Sequence, residues 1–264
     1  MRENRTHGSE GGDGESRSRP LSGTAREVSH ELWSVYRLAT VCVPTNRPLK
    51  RQRCPDRVYL TAGEKWQAVV ERIAEFHDLG RPVLVGTRSV AASEYLSRLL
   101  AARGLTHRVL NARQDREEAE IIAQAGGEGQ ITVATNMAGR GTDIRLPRAV
   151  ASKGGLHVIA TERHEAQRID RQLFGRCARQ GDPGTFETIV SLEDELVQIY
   201  SRRLWRKLCA LVARPGHASA SWVSALTVRL AQRAAERLHL RMRRDLLKMD
   251  EQMQSALAFS GRSE

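Results

Sequence analysis

From about residue 40 the chain alternates short apolar runs with longer stretches in which Leu, Val, Ile and Ala recur every three or four positions. The runs "TVCVP" (40–44), "RVYL" (57–60), "PVLVGT" (82–87), "HRVLNA" (107–112), "QITVAT" (130–135), "GLHVIA" (155–160) and "FETIVSL" (186–192) predict strands. Between them, "TAGEKWQAVVERIAEFHDLG" (61–80) opens on Thr61 and closes on Gly80, as a capped helix should. Ser89 caps a second helix through "AASEYLSRLLAARG" (91–104), and "DREEAEIIAQAGG" (115–127) and "HEAQRIDRQLFGR" (164–176) predict two more. Strands joined by crossover helices make an α/β fold with an open parallel sheet flanked by helices. Beyond about residue 193 the strands stop. Residues 222–259 contain no Pro or Gly and carry apolar residues at helical spacing between arginines. They predict one long C-terminal amphipathic helix, whose apolar stripe needs a covering surface on the sheet domain or a partner. The first 20 residues mix Gly, Ser, Arg and Glu without apolar periodicity and predict a disordered tail.

Length and charge narrow the classes. A chain of 264 residues holds one large domain or two small ones. The 42 Lys and Arg against 31 Asp and Glu give a formal charge of +11 and a sequence pI near 10.2, which suits polyanionic partners: nucleic acid, anionic lipid or nucleotide. Cys42, Cys54, Cys177 and Cys209 show no CxxC or Cys/His spacing, so neither a zinc knuckle nor a disulfide framework is indicated and a reducing cytosol fits. No run approaches the roughly 18 apolar residues of a membrane span, and the N-terminus is polar. The expectation is a cytoplasmic chain, at most peripheral to the membrane.

Candidate chemistry sits in two clusters. The first, "TNMAGRGTDI" (135–144), places two glycines, Arg140 and Asp143 directly after an apolar strand, where α/β proteins commonly bind phosphates at the strand's carboxyl end. The second, "RIDRQLFGRCARQGDPG" (168–184), carries Arg176 and Arg179 three apart near a helix end, so both guanidinium groups can face one side. Guanidinium is permanently charged and forks onto phosphate oxygens. Each cluster alone also reads as ordinary punctuation. Gly139 and Gly141 can serve a turn with φ above zero, Asp143 can cap it, and the arginines of "GRCARQGDPG" can simply solubilise a helix end. Their occurrence together in one sheet favours a polyphosphate site.

These strings resemble a known family. "ITVATNMAGRGTDI" is similar to motif V and "QLFGRCARQGDPG" to motif VI of the second RecA-like lobe in superfamily 2 motors. With "CVPTNRP", "VYLTAGEKWQAVV", "PVLVGTRSV", "GGLHVIATERHEAQRIDRQL" and "SLEDEL", the chain resembles the second nucleotide-binding domain of SecA, the preprotein translocase ATPase, over about residues 21–254. The resemblance implies a RecA-like second lobe over 21–200, including an N-terminal connector, and a helical scaffold segment over 201–264. It implies that Arg176 and Arg179 are catalytic arginine fingers at the γ-phosphate of ATP, and that Arg140, Gly141, Asp143 and Gln180 line the nucleotide. It further implies that Thr135 and Asn136 shape the motif V turn and that Arg168 is an inter-lobe gate arginine paired with a carboxylate of the first lobe. Implied partners are that first lobe, a SecYEG-type translocon and an unfolded preprotein, with anionic lipid as a further contact and nucleic acid disfavoured. Two positions depart from the family pattern: Phe174 stands where arginine is usual, and Ala178 where glycine is usual.

The P-loop pattern GxxxxGK[ST], whose amides and lysine cradle phosphates, does not occur in the sequence, and no DEAD-like acidic motif follows a strand. In SecA these elements, with the ligands for Mg²⁺, belong to the first lobe. The chain alone is therefore not expected to hydrolyse ATP. Two other readings compete. One is a non-catalytic regulatory fragment that attaches to a translocase or to anionic lipid through its arginine-rich helix. The other is a nucleic-acid helicase lobe, against which stands an aromatic content of only 5%.

Overall fold

The structure, a computed structural model, describes residues 29, 32–33, 37–41, 43–110, 121–135, 142–201 and 220–260. The chain divides into two compact units at Pro44–Thr45. In the first, Ser29, Leu32 and Trp33 are helical, and the described residues of the expected strand at 40–44 are not in one. Val41 and Val43 are exposed there, so their apolar character reflects no buried sheet face.

The second unit is built on seven strands, all paired in parallel. They are β1 (Lys50–Arg53), β2 (Arg57–Tyr59), β3 (Val83–Thr87), β4 (Arg108–Leu110), β5 (Ile131–Thr135), β6 (Leu156–Ala160) and β7 (Pro183–Ser191). Their order is β1-β7-β6-β3-β5-β4, and β2 continues along the same edge of β7 after β1. The helices are α1 (Ala62–Asp78), α2 (Val90–Ala102), α3 (Arg148–Ser152), α4 (Gln167–Phe174), α5 (Glu195–Tyr200) and α6 (Ala220–Ser260). Residues 121–124 are also helical.

Local sequence accounts for the starts of the first two helices. Thr61 accepts from the Glu64 amide while the Glu64 carboxylate accepts from the Thr61 amide, a reciprocal capping box; Ser89 accepts from the Ala92 amide. Period-two alternation then sorts the strands' side chains to opposite faces. Val83, Val85, Ile131, Val133, Ile159 and Ile189 pack under α1 and α2 with Trp66, Val69, Ile73, Phe76, Leu96 and Leu100. Leu84, Ala134, Leu156, Val158 and Phe186 line the second face with Ile122, Ile144, Leu173 and Phe174. Helix α4 lies so close to β3 that a Cβ on Gly86 would fall 2.3 Å from the Leu173 side chain.

A polar group interrupts the first face. His157 and Glu187 are fully buried on adjacent strands, and the His157 ring stacks on Phe76 at 3.7 Å. The imidazole meets Glu187 Oε1 at 2.8 Å through Nε2 and Thr185 Oγ1 at 2.7 Å through Nδ1, while Arg72 Nε donates to Glu187 Oε1 at 2.6 Å. Burial, seconded by Arg81 and Arg72, holds the His157 pKa below its ordinary 6.5 against the pull of Glu187. Burial pushes Glu187 up, but hydrogen bonds from His157 and Arg72 outweigh it and hold the carboxyl below its usual range.

Helix α6 docks by its first half. Val228, Ala231 and Ala235 pack on Val190, Leu192, Leu196 and Val197, and Gln232 donates to the His164 carbonyl and to Asp170, each at 2.8 Å. The Glu236 carboxylate accepts from the Gln167 amide at the start of α4. Farther out, Met242, Leu246, Met249 and Met253 are exposed.

A buried histidine with a lowered pKa leaves the unfolded state binding the proton first. Stability is thus present above 6.5 and lost as pH falls through the folded value; Glu187 adds a further loss below its ordinary 4.5. The unfolding free energy from urea titration is expected to fall as pH is lowered from 7 toward 5, with a shallower decline in His157→Gln. A decline unchanged by that substitution contradicts the assignment.

Candidate functional site

The two clusters singled out in the sequence meet on the sheet's second face. Helix α4 ends at Phe174, and its C-cap, Gly175, donates its amide to the Arg171 carbonyl. The helix expected to run to Arg176 stops two residues earlier, and both Arg176 and Arg179 sit in the turn that follows it. They still converge. Arg176 Nη1 donates to the Thr142 carbonyl at 3.2 Å, and Arg179 Nη1 donates to the same oxygen at 3.3 Å. Arg179 Nη1 also lies 3.1 Å from Asp143 Oδ1, and Gln180 Nε2 donates to Asp143 Oδ2 at 2.8 Å. Arg179 Nε reaches back to the Gly175 carbonyl at 3.0 Å.

Of the residues expected in the site, Asp143, Arg176, Arg179 and Gln180 are brought together; Arg140, Gly141 and Asn136 lie outside the described residues. Thr135 is the last residue of β5 and is nearly buried. Arg168 stands apart, exposed in the first turn of α4. Eight residues separate it from Arg176, about 12 Å at the helical rise.

The cluster's position differs from the expectation of a site beyond the carboxyl ends of the strands. Arg145 passes close to Gly126, ahead of β5, and Arg51 at the start of β1 donates to the Cys177 carbonyl. The chain after β5 has thus run back, and the arginines lie beside the amino ends of β1 and β7. The carboxyl ends of β3, β6 and β7 instead meet a charged network. There Asp170, nearly buried, accepts from the His164 amide, His164 Nδ1, Arg163 and Gln232. Arg88 pairs with Glu165 and Glu195 at the same edge.

The departure at Phe174 has a structural explanation, whereas that at Ala178 introduces strain. Phe174 is buried and stacks on Phe186 with ring centroids 4.5 Å apart, a core contact that a guanidinium could not make. Ala178 adopts φ 56° and Gln180 φ 54°, both in the left-handed region, with Gly181 at 86° beside them. The turn that presents Arg179 is therefore strained, a condition typical of functional segments. Neighbouring Cys177 is buried, and burial pushes its thiol up to about 11, so it stays protonated at neutral pH.

A family model described as the SecA P-loop domain matches residues 48–149 and 146–213. The chain belongs to the SecA family. Protein translocase subunit SecA 3 of Magnetococcus marinus is 53% identical to it over 245 residues, 92% of this chain and 37% of that protein. Protein translocase subunit SecA 2 of Nitrosospira multiformis is 47% identical over 248 residues, 92% of this chain and 36% of that protein. The chain thus spans little more than a third of the length of these relatives. Among solved structures, the E. coli DEAD-box protein SrmB bound to RraA aligns with a TM-score of 0.45 and 23% identity, over 57% of this chain and 82% of that one. The architecture is the expected RecA-like parallel sheet flanked by helices and followed by a long C-terminal helix.

Neither the spacing nor the composition pointed to Arg47 and Arg51, which also touch the turn carrying Arg179. Both sit in a polar stretch, "TNRPLKR", without periodicity, and the one available signal was the density of arginine just ahead of an edge strand.

Left-handed φ costs an alanine about 1 kcal/mol or more relative to glycine. Ala178→Gly is therefore expected to raise the unfolding free energy by about 0.5–1 kcal/mol in urea titrations, after allowance for the looser unfolded chain. A loss of stability contradicts the strain at this turn.

Proposed function

We infer that this SecA-family chain is the second nucleotide-binding lobe of a protein-translocating motor, supplying arginines to ATP bound against a first lobe. One observation carries the reading: Arg176 and Arg179, from the turn after α4, converge on a single carbonyl in the turn after β5.

The residues fit a triphosphate. Two permanent cations stand within reach of one another, and Arg179 and Asp143 are 35% and 38% exposed, so their ion pair is worth less than about 1 kcal/mol and yields readily to a stronger anion. When bound, ATP supplies a transferable phosphoryl group, and Mg²⁺ would be held by first-lobe ligands. Arg176 and Arg179 stabilise negative charge on that group's oxygens, the role of fingers in phosphoryl transfer. Asp143 and Gln180 hold Arg179 in place between turnovers. Arg140 and Gly141 would complete the nucleotide contact. Arg168, exposed at the far end of α4, is free to meet a first-lobe carboxylate and report lobe closure.

In the assembled motor, opening and closing of the lobes would drive an unfolded preprotein through a SecYEG-type translocon, with the chain on the cytoplasmic side of the membrane and in contact with anionic lipid. Among the described residues no helix is long and apolar enough to cross a membrane.

The reading is tested by mixing the chain with the first nucleotide-binding lobe of the Magnetococcus marinus relative and measuring ATP turnover. Turnover above the sum of the parts is expected, falling about 10³-fold in Arg176→Ala or Arg179→Ala. A mixture no more active than its components contradicts it.

A further inference from the structure

The turn carrying Arg179 is also held by two other arginines. Arg51, in β1, forks onto one oxygen, with Nε at 3.1 Å and Nη2 at 2.8 Å from the Cys177 carbonyl. Arg47, three residues into the second unit, donates Nη1 to the Gln180 carbonyl at 3.0 Å. The two accepting carbonyls flank Arg179 in sequence, one on each side.

Between residues 45–51 and the turn lies a cavity of about 540 Å³, lined on one wall by Thr45, Asn46, Arg47 and Arg51 and on the other by Ala178 to Gly181. The turn is thus not backed there by close-packed side chains. Its left-handed residues, Ala178 and Gln180, would relax toward commoner backbone conformations if released. Gly181 permits the approach of the arginine stem, since a Cβ there would lie 3.0 Å from Arg47 Cδ. A guanidinium suits the task because its planar fork places two N–H groups on one acceptor, which an ammonium cannot do in fixed geometry.

We propose that Arg47 and Arg51 are positioning residues: their hydrogen bonds to the Gln180 and Cys177 carbonyls fix the strained turn so that Arg179 points to its substrate anion. The substrate role of Arg179 rests on the function inferred above, whereas the tether itself is a property of this chain alone. Because both arginines lie in the segment that leads into the lobe from the preceding unit, displacement of that segment is transmitted directly to the finger.

Two measurements test the proposal. The Asp182 amide, bonded to the Arg179 carbonyl at 2.9 Å, closes the turn and reports its opening by hydrogen exchange. In the full chain, Arg51→Met and Arg47→Met are expected to speed Asp182 exchange about 10-fold while the buried Val85 and Val133 amides keep their rates, with Arg51→Lys intermediate. Unchanged Asp182 exchange, or equal acceleration of the core amides, overturns it. In the complemented ATPase, Arg51→Met is expected to lower kcat about 10-fold at constant KM for ATP, and to add nothing in an Arg179→Ala background. An additive loss in that background shows that Arg51 acts otherwise and overturns the positioning role. If the unaltered mixture does not turn over ATP, the functional reading fails, and Asp182 exchange still decides the tether.

Discussion

The arrangement depends on one contact: the segment Thr142–Asp143 accepting hydrogen bonds from arginines more than 30 residues farther along the chain. A carbonyl and a carboxylate there bring two guanidinium groups together despite their mutual repulsion. Neither segment is held in place by regular secondary structure. Each is placed by the sheet beneath it, through Ile144 in the second-face core and through Phe174 and Leu173 at the end of α4. The rigid scaffold thus ends a few residues short of the polar cluster on both sides, and hydrogen bonds complete the positioning. The cluster is thus fixed by its own hydrogen bonds while Arg179 and Asp143 stay partly exposed.

The sheet carries this cluster and the charged network at opposite ends. Asp170 and Gln232 join α4 to the long helix at the carboxyl ends of the strands, while the turn carrying Arg179 lies beside the amino ends. Helix α4 therefore links two surfaces, with Arg168 near one end and Arg176 and Arg179 just past the other. Any motion of α6 that disturbed Gln232 or Glu236 would act on the start of the helix whose end presents Arg176. This is a physical route between the long helix α6 and the Arg176–Arg179 cluster, running through one short helix packed on Gly86.

Much of this was legible in the residues. The strands at 83–87, 131–135 and 156–160 are fully buried and read as apolar runs because helices cover both faces. The caps at Thr61 and Ser89 were visible as side chains with the required oxygen. The spacing of Arg176 and Arg179 near a helix end pointed to a common side, and the turn after α4 brings both onto the Thr142 carbonyl. What escaped was set by partners distant in sequence. "KRQR" has no apolar alternation and becomes β1 because the β7 edge supplies its hydrogen bonds. "TVCVP" has the alternation but its described residues pair with no strand. The left-handed turn at Ala178 is written in no local preference, since alanine avoids that region; tethers from Arg47 and Arg51 hold it there. The buried His157–Glu187 pair left only a faint trace, one histidine and one glutamate inside otherwise apolar strands.

The central claim is that these guanidinium groups face the terminal phosphate of a nucleotide shared with another lobe. A crystal structure of the chain with a first lobe, trapped with ADP and a planar fluoride mimic of the transferring phosphoryl group, addresses it directly. The account predicts Arg176 and Arg179 nitrogens at about 2.7–3.0 Å from the mimic, with the Arg179–Asp143 pair opened. Arginines still folded onto Thr142 and Asp143, with the mimic bound elsewhere, would contradict it.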